Sequence, residues 1–292
     1  MLEITIAIIF ICVLLVLFYN RKEHLNTIIK SKYQIETTIS SVNTTPFDND
    51  NITITILHDF SDNTLNNFNN MQKKLLQNKK SKVKPHITIH VIHFNKKHPL
   101  INHFIDLSDL SNMNLTSSFR QSIINSYNTT LKNKLQLHHN NEFSKMGKFY
   151  ALTYHPNSPP DNTNKYKYPY ITQFRHSIYN YIDTIAPTDK KYIEIKRNNK
   201  NNPGKIDDYR VYYNDKIPLY AIQDYFHGIG NWHPHVSLVR EQELQINNSL
   251  LFNKVNNKDK NTVREEIKNY LSNVNILNNI MINNLIRISI FS

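Results

Sequence analysis

Pro85-His86-Ile87-Thr88-Ile89 and Pro234-His235-Val236-Ser237-Leu238 say nearly the same thing twice. Each runs proline, histidine, branched aliphatic, hydroxyl residue, aliphatic. In a strand, residues two apart share a face. His86 therefore projects with Thr88 and His235 with Ser237, while the aliphatic residues turn the other way. A proline ahead of each histidine suits the first residue of a strand, where a missing N–H costs little. The chain holds 14 histidines, so a single His-x-Thr would mean little. Two matched five-residue copies in separate halves carry the reading.

Around these copies the soluble part alternates strands and helices. Ile52, Ile54 and Ile56 alternate with threonines, as a half-buried strand does. Asp62 or Asn63 can cap a helix with Leu65, Phe68, Met71, Leu75 and Leu76 on its apolar side. The basic run Lys79-Lys80-Ser81-Lys82-Val83-Lys84 leads into the first motif strand, which ends near Phe94. A second helix carries Phe119, Ile123, Ile124, Tyr127, Leu131 and Leu135, and residues 149–154 read as a strand. Pro156, Pro159 and Pro160 keep 155–169 a loop. A third helix follows with Ile171, Phe174, Ile178, Tyr181 and Ile185. Residues 192–197 and 209–213 flank Asn201-Asn202-Pro203-Gly204 as a hairpin, and 219–226 form a strand before the second motif. Val263, Ile267, Tyr270 and Leu271 predict a late helix, and 285–291 a last alternating strand. This order on both sides of the motif pair implies an α+β domain of two similar lobes.

The N-terminus reads differently. Residues 4–19 carry no charge and are dense in Ile, Leu, Val and Phe, close to the ~17–20 residues a spanning helix needs. Glu3 at the start and Phe18-Tyr19-Asn20-Arg21-Lys22 at the end do not fit a cleaved signal peptide. We read residues 1–22 as a transmembrane anchor, 23–50 as a polar tether and 51–292 as the folded domain. Arg21, Lys22, Lys30 and Lys32 follow the apolar run, which puts the domain on the cytoplasmic side of a single-pass protein. Cys12, the one cysteine, lies inside the anchor, so the domain has no disulfide and needs no oxidising compartment. Among 292 residues the net charge is +12, which fits a partner bearing phosphates. The many Lys and Asn codons of an AT-rich sequence would also put lysines on solvated faces.

Two histidines with hydroxyls beside them suit phosphodiester cleavage without a metal. One imidazole takes the nucleophile's proton and the other gives one to the leaving oxygen, both within reach of an unperturbed pKa near ~6.5. The hydroxyls of Thr88 and Ser237 then meet the non-bridging oxygens as charge develops. His90 stands on the same strand face two residues after Thr88, and His93 follows, so a zinc site is a weaker reading. Zinc asks for three or four ligands at fixed geometry. Trp232 and Tyr225, just before the second motif, are candidates for stacking on a base, or for core packing.

Paired His-x-Thr/Ser strands in such a domain resemble the 2H phosphoesterase superfamily. The run Pro-His-Val-Ser-Leu-Val-Arg at 234–240 is similar to the second motif of its ligase-like branch. The resemblance covers residues 51–292. It implies a two-lobed, pseudo-symmetric fold with antiparallel sheets around a central cleft, and an RNA or oligonucleotide substrate. It also implies no cofactor, His86 and His235 as catalytic residues (His235 the base, His86 the acid), and Thr88 and Ser237 as phosphate ligands. The histidines lie 149 positions apart (235 − 86), longer than in compact members, and the anchor is not a general feature of that superfamily. The contrary reading is a non-catalytic membrane or viral-envelope module on the same fold. All four polar motif positions are intact, which favours an enzyme.

Overall fold

Pro85 is buried, and from Ile87 onward the chain enters the middle of a sheet that gathers both motif strands. The computed structural model describes residues 33–37, 50–108, 113–160, 167–186, 191–196, 208–213, 216–223, 232–247 and 277–291. The expected anchor at 4–19, Tyr225 and the helix expected near 263–271 lie outside these. No helix among the described residues is long and apolar enough to cross a membrane.

A first strand, β1 (Tyr33–Thr37), stands where the sequence suggested only tether. Its residues include the β-formers Tyr33, Ile35 and Thr37, and it pairs in parallel with the last strand of the chain. β2 (Asn51–His58) is the expected Ile/Thr strand, with Ile52, Ile54 and Ile56 fully buried. Helix α1 (Asp62–Leu75) buries Phe68, Met71, Gln72 and Leu75 on one side. Asp62 in its first turn and Lys73 and Lys74 in its last complement the helix dipole. Gln77 and Asn78, at φ of 50° and 68°, turn the chain out of it. β3 (Ile87–Asn95) carries the first motif. The short pair β4 (Ile105–Asp106) and β5 (Asn114–Leu115) forms a separate ribbon. Helix α2 (Ser117–Thr130) is capped by Thr116, whose side chain accepts from the Phe119 N–H.

β6 (Gln136–Met146) and β7 (Phe149–Pro156) make a hairpin whose turn uses Gly147 at φ 60°. Helix α3 (Pro169–Ile185) opens on a proline, where its missing N–H is harmless. β8 (Lys191–Lys196) and β9 (Asp208–Tyr213) are the expected hairpin, and β10 (Tyr220–Gln223) follows. β11 (His235–Arg240) carries the second motif and runs into helix α4 (Glu241–Asn247). β12 (Asn279–Met281) and β13 (Ile286–Phe291) complete the order.

Eleven of these strands join one sheet in the order β1-β13-β2-β3-β11-β7-β6-β12, with β10 beside β3 and a β10-β9-β8 branch. The domain is α+β, and the sheet is antiparallel except where β1 meets β13. Ile52, Ile54, Ile56, Ile87, Ile89, Ile92 and Phe94 share one core with Phe68 and Met71 of α1, Phe119 and Ile123 of α2 and Phe174 and Ile178 of α3. Burying each such side chain is worth about 1.5–3 kcal/mol, so the aliphatic rows of both motif strands fasten the sheet to its helices. The two halves, β13-β2-β3 and β11-β7-β6, join within a single sheet, where the motif strands β3 and β11 are neighbours through the pairing of Ile87 with Val236.

Candidate active site

Val236 pairs with Ile87 in the antiparallel contact of β11 with β3. Both are fully buried, so the residues on either side of each turn to the opposite face. Continuing the pairing one residue each way sets His86 opposite Ser237 and His235 opposite Thr88. A local two-fold axis through this pair, normal to the sheet, exchanges His86 with His235 and Thr88 with Ser237. The four polar side chains thus occupy the corners of one patch, all half-buried. The histidines sit on its diagonal, with Cβ atoms about 7–8 Å apart by ordinary cross-strand spacing.

The two-fold reaches beyond the motif. His86 Nδ1 lies 2.7 Å from the Lys84 carbonyl, and His235 Nδ1 lies 2.8 Å from the His233 carbonyl. A carbonyl only accepts, so each Nδ1–H donates. That leaves Nε2, on the far edge of each ring, as the unprotonated nitrogen of the neutral form. Each strand also bulges at the fifth residue of its motif. β3 has one residue more than β2 at Ile89, and β11 one more than β7 at Leu238. The bulge carbonyls are met by buried side chains from two helices. Arg175 Nη2 of α3 donates to Ile89 O at 3.3 Å, and Gln72 Nε2 of α1 donates to Leu238 O at 2.7 Å. Bulges of this kind twist a strand and re-aim its side chains.

Burial is the first cause lowering the pKa of both histidines, partly offset by the carbonyl that each imidazole bonds. For His86 the positive field of Arg287 lowers it further, Asp59 raises it, and His235 itself lowers it. For His235 the neighbouring His233 adds to the lowering. Thr88 and Ser237 have no side-chain hydrogen bond among the described residues, which leaves their hydroxyls to donate to an oxyanion.

Sequence reading missed Arg287 and Asp59. Arg287 pairs with Leu57 across β13 and β2, and Leu57 with Thr88 across β2 and β3, so Arg287 shares the face of the patch. Its Nε donates to Asp59 Oδ2 at 2.9 Å, and Lys84 Nζ stands 3.9 Å from the same carboxylate oxygen. The clue was present. In Ile286-Arg287-Ile288-Ser289-Ile290 the polar residues alternate with isoleucines, as on a strand with one polar face.

Three expectations change. His90 does not share the face of His86 and Thr88. The extra residue at Ile89 shifts the alternation, and His90 is buried with its Nε2 2.7 Å from the Tyr179 hydroxyl of α3. His93 lies 2.9 Å from Thr53 Oγ1, and no group of metal-ligating side chains occurs among the described residues. Trp232 is 6% exposed, donates its indole N–H to Thr88 O at 2.9 Å and meets Tyr168 edge to face. Its ring is packing that fixes the backbone of motif one, not an open face for a base.

No family model, no curated protein and no solved structure matches the chain.

Proposed function

We propose that this chain is a metal-independent phosphodiesterase of the 2H phosphoesterase type. It acts on RNA or short oligonucleotides, with His86 and His235 as general acid and base and Thr88 and Ser237 as phosphate ligands. The observation that carries the reading is the pairing of Ile87 with Val236, which groups two imidazoles and two hydroxyls around one centre. Both rings are held in the same tautomer by their own strands, which suits one nitrogen each for a proton-transfer cycle. The uncharged run 4–19 and the basic residues after it support a membrane-anchored protein with its domain on the cytoplasmic side.

The test is turnover in EDTA against four substrates: a 2′,3′-cyclic end, a 2′,5′ linkage, a 3′–5′ tail and a cyclic dinucleotide. At least one is cleaved. His86→Ala and His235→Ala each cut kcat by ~10²–10⁴, the range for general acid–base groups. The double variant is little worse than the poorer single one, because residues that act as a unit are not additive. Thr88→Val and Ser237→Ala cost ~10- to 1000-fold, one lost donor to a charged oxygen each. Full activity in either histidine variant, or EDTA inactivation reversed by zinc, eliminates the mechanism.

A further inference from the structure

The loop that delivers His86 also forms one wall of a groove. This open groove of about 1090 Å³ runs between α1 and the segment 78–85 and reaches Pro85, the residue before His86. Asn66, Asn69, Asn70 and Lys73 line its helical wall. They recur at three- and four-residue steps and so stand on one helix face. The facing wall carries Lys80, Lys82 and Lys84. Val83 and Gln72 are buried at its base.

Two acidic residues near this wall are already committed: Asp59, which pairs with Arg287 at 2.9 Å and stands 3.9 Å from Lys84 Nζ, and Glu243. Glu243 of α4 accepts from the Lys82 N–H at 2.6 Å, the Ser81 hydroxyl at 3.1 Å and the Arg240 N–H at 2.8 Å. Its carboxylate therefore shapes the loop through its backbone and Ser81. The side chains of Lys73, Lys80 and Lys82 are exposed, and none has an ion pair among the described residues.

We propose that this groove binds the sugar-phosphate backbone of a single-stranded oligonucleotide. The inference rests on the phosphodiesterase reading and adds a substrate class: strands longer than a dinucleotide. The lysines supply phosphate contacts that do not depend on sequence. The asparagine carboxamides add donors for phosphate oxygens and both donors and acceptors for sugar hydroxyls. A concave trough suits a strand better than a flat bilayer. From Asn66 to Lys73 the helical wall runs about 10 Å at ~1.5 Å per residue. That is room for about three stacked nucleotides at ~3.4 Å each.

The probe is a 5′-fluorescein-labelled 12-nucleotide single-stranded RNA, titrated by anisotropy from 50 to 300 mM salt. The protein is the full chain in detergent carrying His86→Ala and His235→Ala, so binding is read without cleavage. Adding Lys73→Ala, Lys80→Ala and Lys82→Ala weakens binding at least tenfold at 100 mM salt. The slope of log K against log salt falls by about 2, three contacts at ~0.7 each. A control triple, Lys132→Ala, Lys134→Ala and Lys216→Ala, removes the same charge elsewhere and leaves Kd within about twofold. Equal losses in both triples, or no salt-dependent binding of the 12-mer, overturn the groove. So does tighter, groove-dependent binding to phosphatidylserine vesicles than to RNA. Groove-dependent binding with no turnover by the unmutated chain keeps the groove and rejects the phosphodiesterase. Turnover with an unaltered salt slope does the reverse.

Discussion

The same bond orients both histidines, and it fixes what each can do with a proton. With Nδ1–H given to the carbonyl two residues back, the neutral ring offers Nε2 as base and the charged ring offers Nε2–H as acid. Burial leads the lowering of both pKa values, so each ring stays neutral to lower pH than a free imidazole at ~6.5. The reaction needs one ring neutral and one charged. Since kcat/KM reports the free enzyme, its bell has a maximum below pH 6.5. A bound phosphate anion favours imidazolium, so the alkaline limb of kcat lies above that of kcat/KM. The limbs belong to the coupled pair, not to either ring alone. Stopped-flow profiles from pH 4.5 to 8 check this, and a kcat/KM maximum above pH 7 contradicts it. Much of this scale was legible in the sequence: the period of two put His86 with Thr88 and His235 with Ser237. The partners of those rings were not, because the carbonyls of Lys84 and His233 carry no mark of side-chain identity.

At the scale of elements, the patch depends on two bulges and the side chains that hold them. Gln72 donates to both Val83 O and Leu238 O at 2.7 Å, joining the approach to motif one with the bulge of motif two through a single buried carboxamide. Gln72→Leu keeps a similar volume but strands a buried carbonyl. It should destabilise by about 1–3 kcal/mol, read as a lower urea midpoint at unchanged m. It should also lower kcat more than it raises KM, because the lost bond positions His235 and Ser237 rather than binding substrate. An unaltered midpoint would show that the carboxamide holds nothing. The bulges explain where sequence reading failed. His90 looked like a neighbour of Thr88 because strict alternation was extended past Ile89, where the strand gains a residue. β6 went unseen for the same reason: its pairing with β7 slips between His139 and Phe143, so its polar and apolar residues keep no steady period. β2, α1, α3 and β13 were legible because each holds one period along its whole length.

For the whole molecule, the histidines outside the patch set a limit on the acid side. His58, His90 and His93 are 2%, 2% and 4% exposed. Burial pushes His58 and His93 down to about 4 and His90 well below its ordinary value, with Arg175 and then His93 adding to the effect on His90. In the unfolded chain all three titrate near ~6.5. Above that pH both states are unprotonated there and these groups make no difference to stability. As pH falls through 6.5 the unfolded chain takes up three protons that the folded one refuses, at His58 and His93 until about 4 and at His90 well below its ordinary value, so stability drops. The slope approaches about 4 kcal/mol per pH unit, three protons at ~1.36 each. The loss by pH 5 is about 6 kcal/mol, a large share of the about 5–15 kcal/mol of an ordinary domain. The urea midpoint should therefore be level from pH 8 to 7 and decline steeply below 6. Among the described residues His58 makes no side-chain hydrogen bond and meets Phe60 edge to face, so His58→Phe should remove about a third of the slope without breaking a hydrogen bond. A level midpoint down to pH 4.5 would mean these imidazoles are protonated in the fold. The same arithmetic narrows the catalytic window. A kcat/KM maximum below 6.5 sits on the edge of acid unfolding, so the acid limb must be read at times shorter than unfolding. His58→Phe should widen the stable range toward acid while leaving the catalytic limbs where they are.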